Sequence, residues 1–440
     1  MTVQWLSKPR EYSTWWCTAI TIAGNRGENP TTIHNHTNLA MSADPTTAQQ
    51  YTAHPRGQGA AHTVKSQQPA DQETFNGQAA HILVAGGGTA GHIEPAMAVA
   101  DALRDQYGAR VTALGTTRGL ETDLVPARGF PLATITAVPI PRKPSKALLQ
   151  VPGKLVRALR ETRDILRRNH IDCVVGFGSY VSAPAYLAAK SLRIPFVVHE
   201  ANARAGLANK LGVALGGLGL NAQPESGLTG EVVGLPVRNT MAALQDPQQL
   251  AALKQQAAQH FGLSLDKPTL LVTGGSQGAV ALNEALAGAM DALVDAGVQV
   301  VHAYGKKNAA PSPRPGVVAV PYIERMDLAY AIADLVVCRS GAMTVAEITA
   351  SRTPAVYVPL PHGNGEQALN ARSVVAAGGA QLVNNAEFTA DYVRDTVVPL
   401  VSDPQALAAM RTALAATQTT DAATAVADRV MAVVRSRRHR

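Results

Sequence analysis

From His81 onward, short apolar runs alternate with stretches whose apolar residues recur at helical spacing. The runs are "ILVAG", "VTALG", "CVVGFG" and "FVVHE", then "TLLVTGG", "VQVVHAYG", "LVVCRSG" and "AVYVPL". Behind the first of them Ile93, Ala96, Met97, Ala100 and Leu103 fall on one helical face. Such alternation predicts parallel sheets with helices on both faces. One opening device occurs twice: strand, glycine turn, helix, in "HILVAGGGTAGHIEPAMAVADAL" at 81–103 and "LLVTGGSQGAVALNEAL" at 270–286. The linker-like stretch 221–268, with Pro224, Pro236 and Pro268, precedes the second copy. The pattern therefore predicts an α/β protein of two doubly wound, Rossmann-like domains, 79–236 and 237–420, facing a cleft. Ligands of such sheets bind outside the carboxyl ends of the strands, so both glycine loops are expected to border it.

Residues 1–78 lack periodicity and are rich in Thr, Gln, Asn, His, Gly and Ala, which predicts a disordered N-terminal extension. Trp5, Trp15 and Trp16 form a candidate docking element there, the stretch lacks the basic start and apolar run of a signal peptide, and Met41 is a later candidate start.

The 440 residues are 46% hydrophobic, 16% charged and only 4% aromatic, as expected of a soluble α/β chain with more than one domain. No apolar run reaches the roughly 18 residues that a membrane span needs. Cys17, Cys173 and Cys338 are scattered without CxxC spacing, which argues against a disulfide framework or zinc knuckle and fits a reducing cytoplasm. A formal charge of +7 points to an anionic partner. The basic residues carry no aromatic interleaving and no nucleic-acid module, so a membrane face, a phosphate-bearing substrate or plain surface solvation accounts for them instead of nucleic acid.

Gly86, Gly88 and Gly91 have the G-x-G-x-x-G spacing of a dinucleotide site. Such a site needs an acidic residue at the tip of the next strand, and Gly115 to Thr117 carry none. The loop instead continues with His92, Glu94 and Pro95. Further polar groups gather at strand ends: Gly178, Ser179 and Tyr180 at a turn opening a helix, and His199, Glu200 and Asn202 exposed after "PFVV". In the second half Ser340 and Gly341 precede a helix bearing Glu347, and Glu366, Gln367 and Asn370 share about one turn. A glycine-serine turn for phosphates, a carboxylate for vicinal hydroxyls and amides for sugar hydroxyls make this half a candidate sugar-nucleotide site. No D-x-D occurs, so the diphosphate charge falls to helix N-termini and Arg238 of "GLPVRN". Each residue also has a plain reading: a helix-capping His92, a surface His199–Glu200 pair, a solvated Glu347, exposed amides at Gln367 and Asn370. Leu148, Leu149, Val151 and Leu155 lie among arginines and lysines in 141–168, either as a membrane patch or, from Leu155 on, as a helix packed on its own sheet.

From about residue 80 to the end, "GGGTAGHIEPAMAVA", "GSYVSAPAYLAA", "HEANARAGLANK", "GLPVR", "VTGGSQGA", "VVCRSGAMTVAEI" and "HGNGEQALNA" together resemble the MurG family of peptidoglycan synthesis. The resemblance implies the GT-B fold and an inverting transfer of N-acetylglucosamine from its UDP sugar to the C4 hydroxyl of undecaprenyl-pyrophosphoryl-N-acetylmuramyl-pentapeptide. It implies donor contacts by Arg238 and Ser276 (diphosphate), Glu347 (ribose), Ile323 (uracil), and Gln277, Gln367 and Asn370 (sugar). On the acceptor side it implies Thr89, Gly91, His92, Tyr180, His199 and Asn202, with His92 or Glu200 as general base. The reference pKa of histidine, about 6.5, suits the task. Leu148, Leu149, Val151 and Leu155 match the family's membrane patch, and 421–435 is expected to pack back on the first domain. The expected cofactor and metal are none, UDP-N-acetylglucosamine being a substrate. Expected partners are lipid I, an anionic membrane surface and, as candidates, cell-wall and division machinery, with a peripheral location on the cytoplasmic face of the bacterial cell membrane. The chain departs from the family in Glu366-Gln367 for two glutamines, "HEAN" for "HEQN", and Ala90 for glycine. Competing readings are another UDP-sugar enzyme of this fold, such as a glycolipid glycosyltransferase or a 2-epimerase, a UDP-sugar-binding scaffold without turnover, and a dinucleotide oxidoreductase. An epimerase needs a carboxylate set around the anomeric carbon and no membrane patch; a scaffold has no need of His92, Arg238 and Glu347 together.

Overall fold

The structure, a computed structural model, describes residues 74–75, 78–138, 151–275, 277–361, 365–417 and 421–438. The expected disordered extension lies outside the described residues up to residue 73, as do Leu148, Leu149 and Ser276. The end of that extension departs from expectation: β1 (Thr74–Phe75) pairs antiparallel with β2 (Gln78–Ala79).

The first sheet comprises β3 (His81–Ala85), β4 (Arg110–Gly115), β5 (Leu132–Thr134), β6 (Cys173–Gly176), β7 (Phe196–Glu200), β8 (Leu218–Asn221) and β9 (Glu231–Val232), in spatial order β5-β4-β3-β6-β7-β8-β9. The second comprises β10 (Thr269–Thr273), β11 (Gln299–Ala303), β12 (Val317–Val320), β13 (Leu335–Cys338), β14 (Ala355–Tyr357) and β15 (Ala380–Leu382), in order β12-β11-β10-β13-β14-β15. All pairings within both sheets are parallel. Helical crossovers cover the sheets, which is why β3, β7, β10 and β11 are buried along their whole lengths and read as unbroken apolar runs. In each sheet the first strand in sequence lies in the interior, with its successors running outward in opposite directions. The switch points β3/β6 and β10/β13 are therefore where a ligand crevice opens.

The last helix, Ala422–Arg438, joins the first domain. Val426, Val430, Met431 and Val434 share a core with Ala96, Ala100 and Leu103 of the helix Ala90–Tyr107. Gln106 donates to Thr424 Oγ1 at 2.6 Å, Tyr107 to Asp428, and Arg429 grips Glu231 through two bonds of 2.7 and 2.8 Å.

The helix Val151–Arg168 is strongly amphipathic. Val151 and Leu155 are half-buried against the sheet core around Ile165 and Tyr186, so they do not form the exposed patch that was expected; Val156 does face solvent, at 47% exposure. The apolar stripe of this helix packs with the helix Ser179–Ser191 over the sheet face, in one core.

Met431 is 1% exposed. Met431→Ala should cost about 2–5 kcal/mol and lower the thermal unfolding midpoint; a midpoint within about a degree of the parent would refute the closing role of this helix.

Candidate active site

The β3/β6 switch point carries the first glycine loop. A Cβ on Gly86 would lie 2.5 Å from the carbonyl oxygen of His92, and Gly88, at φ +86°, sits against the Tyr180 ring. Only glycine permits this turn, which delivers His92 to the first turn of the helix Ala90–Tyr107. Thr89 has the extended backbone of an N-cap but makes no side-chain cap bond; its hydroxyl lies 3.0 Å from His92 Nδ1 instead. Gly178, at φ +87°, leaves room on the other side of the ring, where a Cβ would stand 3.5 Å from Nε2. Burial holds the His92 pKa below its ordinary value, with the Glu200 charge opposing in part.

Glu121 is a buried support of the glycine loop that the motifs do not reveal. It is fully buried, and its carboxylate accepts from the backbone N–H of Gly88 (2.9 Å), the N–H of Thr116 (3.0 Å) and the Thr116 hydroxyl (2.9 Å). Thr116 Oγ1 in turn lies 3.4 Å from the Tyr180 hydroxyl. The acid sought at the tip of β4 is thus present just beyond it, turned back onto the glycine loop. Its signal was an acidic residue opening the helix Glu121–Ala127.

The loop after β7 differs from expectation. His199 and Glu200 are buried, not exposed, because β7 lies inside the sheet with helices above and below. His199 Nε2 lies 2.9 Å from the Gly234 carbonyl oxygen, and burial lowers its pKa. Glu200 Oε1 accepts from the backbone and side-chain nitrogens of Asn202 (2.9 and 3.2 Å), and Oε2 from Gly206 N–H (3.0 Å) and Asn209 (2.9 Å). A carboxylate with four donors organises a loop and has little capacity left as a base. Of the three residues, Asn202 alone reaches the cleft lining.

The β10/β13 switch point carries the second glycine loop. Gly278, at φ +72°, packs so closely that a Cβ would lie 2.3 Å from the Tyr304 carbonyl oxygen, and Gln277 is exposed beside it. Glu347 is buried, not solvated: Tyr330 donates to Oε2 at 3.2 Å, and Arg238 Nε is 3.8 Å from Oε1. Burial raises the Glu347 pKa, which Arg238 counters and Glu94 reinforces. Burial disfavours the Arg238 cation, but Glu94 and Glu347 outweigh it and its pKa rises. Arg339 is a second guanidinium at the strand end; it donates to the Val358 and Pro359 carbonyls (2.9 and 3.1 Å), its Nε is buried without a partner, and burial lowers its pKa. Gln367 lines the cleft, with Oε1 accepting from Leu360 N–H at 2.9 Å. Asn370 does not. It is fully buried, accepting from Ala203 N–H (2.9 Å) and donating to the Ser340 carbonyl (3.3 Å), so it ties the β7 loop to the second domain.

One cavity of about 830 Å³ joins these parts, lined by Thr89, Gly91, His92 and Asn202 from the first domain and by Gln277, Ile323, Glu347 and Gln367 from the second, with Arg238 between. Its size suits a nucleotide sugar. Tyr180, His199, Glu200 and Asn370 stand behind this lining.

Two Rossmann-like domains with glycine loops facing across such a cleft define a GT-B glycosyltransferase. Residues 82–215 match the glycosyltransferase family 28 N-terminal domain and residues 269–426 its C-terminal domain. A protein of Corynebacterium efficiens, named UDP-N-acetylglucosamine–N-acetylmuramyl-(pentapeptide) pyrophosphoryl-undecaprenol N-acetylglucosamine transferase, is 60% identical over 76% of this chain and 91% of its own. One of the same name from Mycobacterium sp. (strain KMS) is 57% identical over 75% and 89%. The crystal structure of Acinetobacter baumannii MurG superposes with a TM-score of 0.63 at 28% identity, covering 80% of this chain and 99% of that one. The chain belongs to glycosyltransferase family 28 and, within it, to the MurG family.

Glu121→Ala would leave the backbone N–H groups of Gly88 and Thr116 without their carboxylate acceptor, while the Thr116 hydroxyl keeps the Arg118 carbonyl at 3.2 Å. It should cost about 2–3 kcal/mol in chemical denaturation; a loss below about 0.5 kcal/mol would show that Glu121 does not hold the loop.

Proposed function

We propose that this enzyme transfers N-acetylglucosamine from UDP-N-acetylglucosamine to the C4 hydroxyl of the undecaprenyl-pyrophosphoryl-N-acetylmuramyl-pentapeptide, with the donor on the second domain and the acceptor on the first. The observation that carries the reading is a single cleft in which a partly buried histidine from one domain faces a carboxylate and arginine set from the other. Uracil lies against Ile323, the ribose hydroxyls bond to Glu347, and the diphosphate takes Arg238 and the loop around Gln277. The amide of Gln367 reads the sugar hydroxyls. With Thr89 accepting from Nδ1–H, His92 Nε2 carries the lone pair that takes the C4 hydroxyl proton. The freed oxygen attacks the anomeric carbon from the face opposite UDP, the bond to the diphosphate breaks, and the configuration inverts. In this reading the leaving charge falls to Arg238, Arg339 and helix N-termini.

The lipid-linked acceptor brings the first domain to a bilayer. Among the described residues no helix is long and apolar enough to cross a membrane. Contact then falls to a surface: exposed Val156 among Lys154, Arg157 and Arg160, and an approximately 810 Å³ groove of Pro195, Phe196, Leu215 and Leu218 rimmed by Lys190 and Arg193.

Transfer of labelled N-acetylglucosamine to a short-chain lipid I analogue tests the assignment. His92→Ala should lose at least about 100-fold in kcat with UDP affinity kept, and Glu347→Ala should chiefly lose donor affinity; no transfer by a folded, UDP-binding parent would overturn it. A base must be deprotonated to act, and burial lowers the His92 pKa, so neutral imidazole persists below the ordinary titration range. The acid limb of kcat/KM should accordingly have its midpoint below about 6.5; a midpoint above about 7 would point to another base. Binding to anionic vesicles should weaken as salt rises from about 0.05 to 0.5 M, and equal binding to neutral vesicles would remove the basic face from the account.

A further inference from the structure

Glu94 stands two residues after His92 on the helix Ala90–Tyr107, and no step above uses it. It is 4% exposed, yet it is a carboxylate at the wall of the cleft. Its Oε1 lies 3.1 Å from Arg238 Nη2 and its Oε2 2.9 Å from Arg128 Nη2. Arg128 is itself anchored by Nη1 to Asp101 at 2.8 Å. Arg238 ends the linker between the domains and caps the short helix Asn239–Ala242. Its other edge is held loosely: Nε is buried without a hydrogen-bond partner and lies 3.8 Å from the Glu347 carboxylate.

A buried carboxylate is stable only when paired, and one removed from a pair leaves an uncompensated charge. Glu94 has two cationic partners, one of them fixed to its own domain by Asp101. Asp101, Arg128 and Glu94 thus form a rigid post on the first domain whose far end is Arg238. The post orients a flexible side chain ahead of ligand arrival and leaves the Nε–H, which makes no hydrogen bond, as the donor for an anionic oxygen. We propose that Glu94 is a positioning residue for the donor: from the acceptor domain, and from the helix that carries His92, it sets the Arg238 guanidinium for the diphosphate. The inference rests on the reading that Arg238 binds that diphosphate. It makes donor affinity depend on a residue of the opposite domain, which couples the two half-sites through one ion chain.

The test is calorimetric titration of the full chain with UDP, and with uridine as the phosphate-free control. Glu94→Gln should weaken UDP binding about tenfold and leave uridine binding within about twofold. In an Arg238→Ala background the same substitution should change UDP affinity less than about twofold, because the group it positions is gone. Arg128→Gln, which removes the post while keeping Glu94 and Arg238, should weaken UDP binding about threefold and serves where Glu94→Gln does not fold. Unchanged or tighter UDP binding in Glu94→Gln, or losses that simply add in the double variant, would overturn the inference. If Arg238→Ala itself leaves UDP affinity intact, the diphosphate assignment falls instead, a result distinguishable from failure of the Glu94 role alone.

Discussion

Parallel pairing is the constraint from which the rest of this molecule follows. Every crossover must return along a face of its sheet, so the loops at the carboxyl ends of the strands are the part of each domain free to vary and to bind. The strand orders place the first strand of each sheet next to a strand that leads the other way, β3 beside β6 and β10 beside β13. Each junction opens a crevice edged by a glycine loop and a helix N-terminus, and the two crevices share one cavity. The distribution of chemistry follows from that layout. In the proposed reaction the proton acceptor comes from one domain and the leaving-group contacts from the other, with the cavity lined by both.

The cleft wall buries several charged side chains together. Glu94, Arg238 and Glu347 lie in one chain of contacts, with Arg128 and Asp101 extending it into the first domain. Their opposite charges lie against one another, and that contact fixes their direction. This is the arrangement that electrostatic stabilisation of a departing diphosphate requires, since dipoles and charges already oriented need no reorganisation at the moment of bond breaking. Arg339 differs, being held by the Val358 and Pro359 carbonyls, and burial lowers its pKa.

The architecture was legible in the sequence because buried parallel strands are continuous apolar runs, and glycine loops recur where backbone must turn sharply. The cavity gathers His92, Arg238 and Glu347, which the motifs single out, with Gln277, Ile323 and Gln367, which the family resemblance implies. Sequence was silent on depth. His199, Glu200 and Asn370 have the same local signature as cleft residues, yet the strands and the opposing domain cover them, and their polar atoms hold loops together. Val151 and Leu155 show the same limit: they are half-buried against the core, and whether an apolar stripe meets a membrane or a sheet depends on what lies beneath it. Glu121 was invisible because its role is set by a fold-back onto Gly88 across a different loop.

The central claim is a single direct displacement across this cleft, with the acceptor oxygen entering opposite UDP. Its most direct test is the anomeric configuration of the disaccharide formed from the α-linked UDP sugar, read by proton NMR coupling on the product of a short-chain lipid I analogue. The account predicts a β linkage. An α linkage, which requires two inversions or a front-face route, would contradict it.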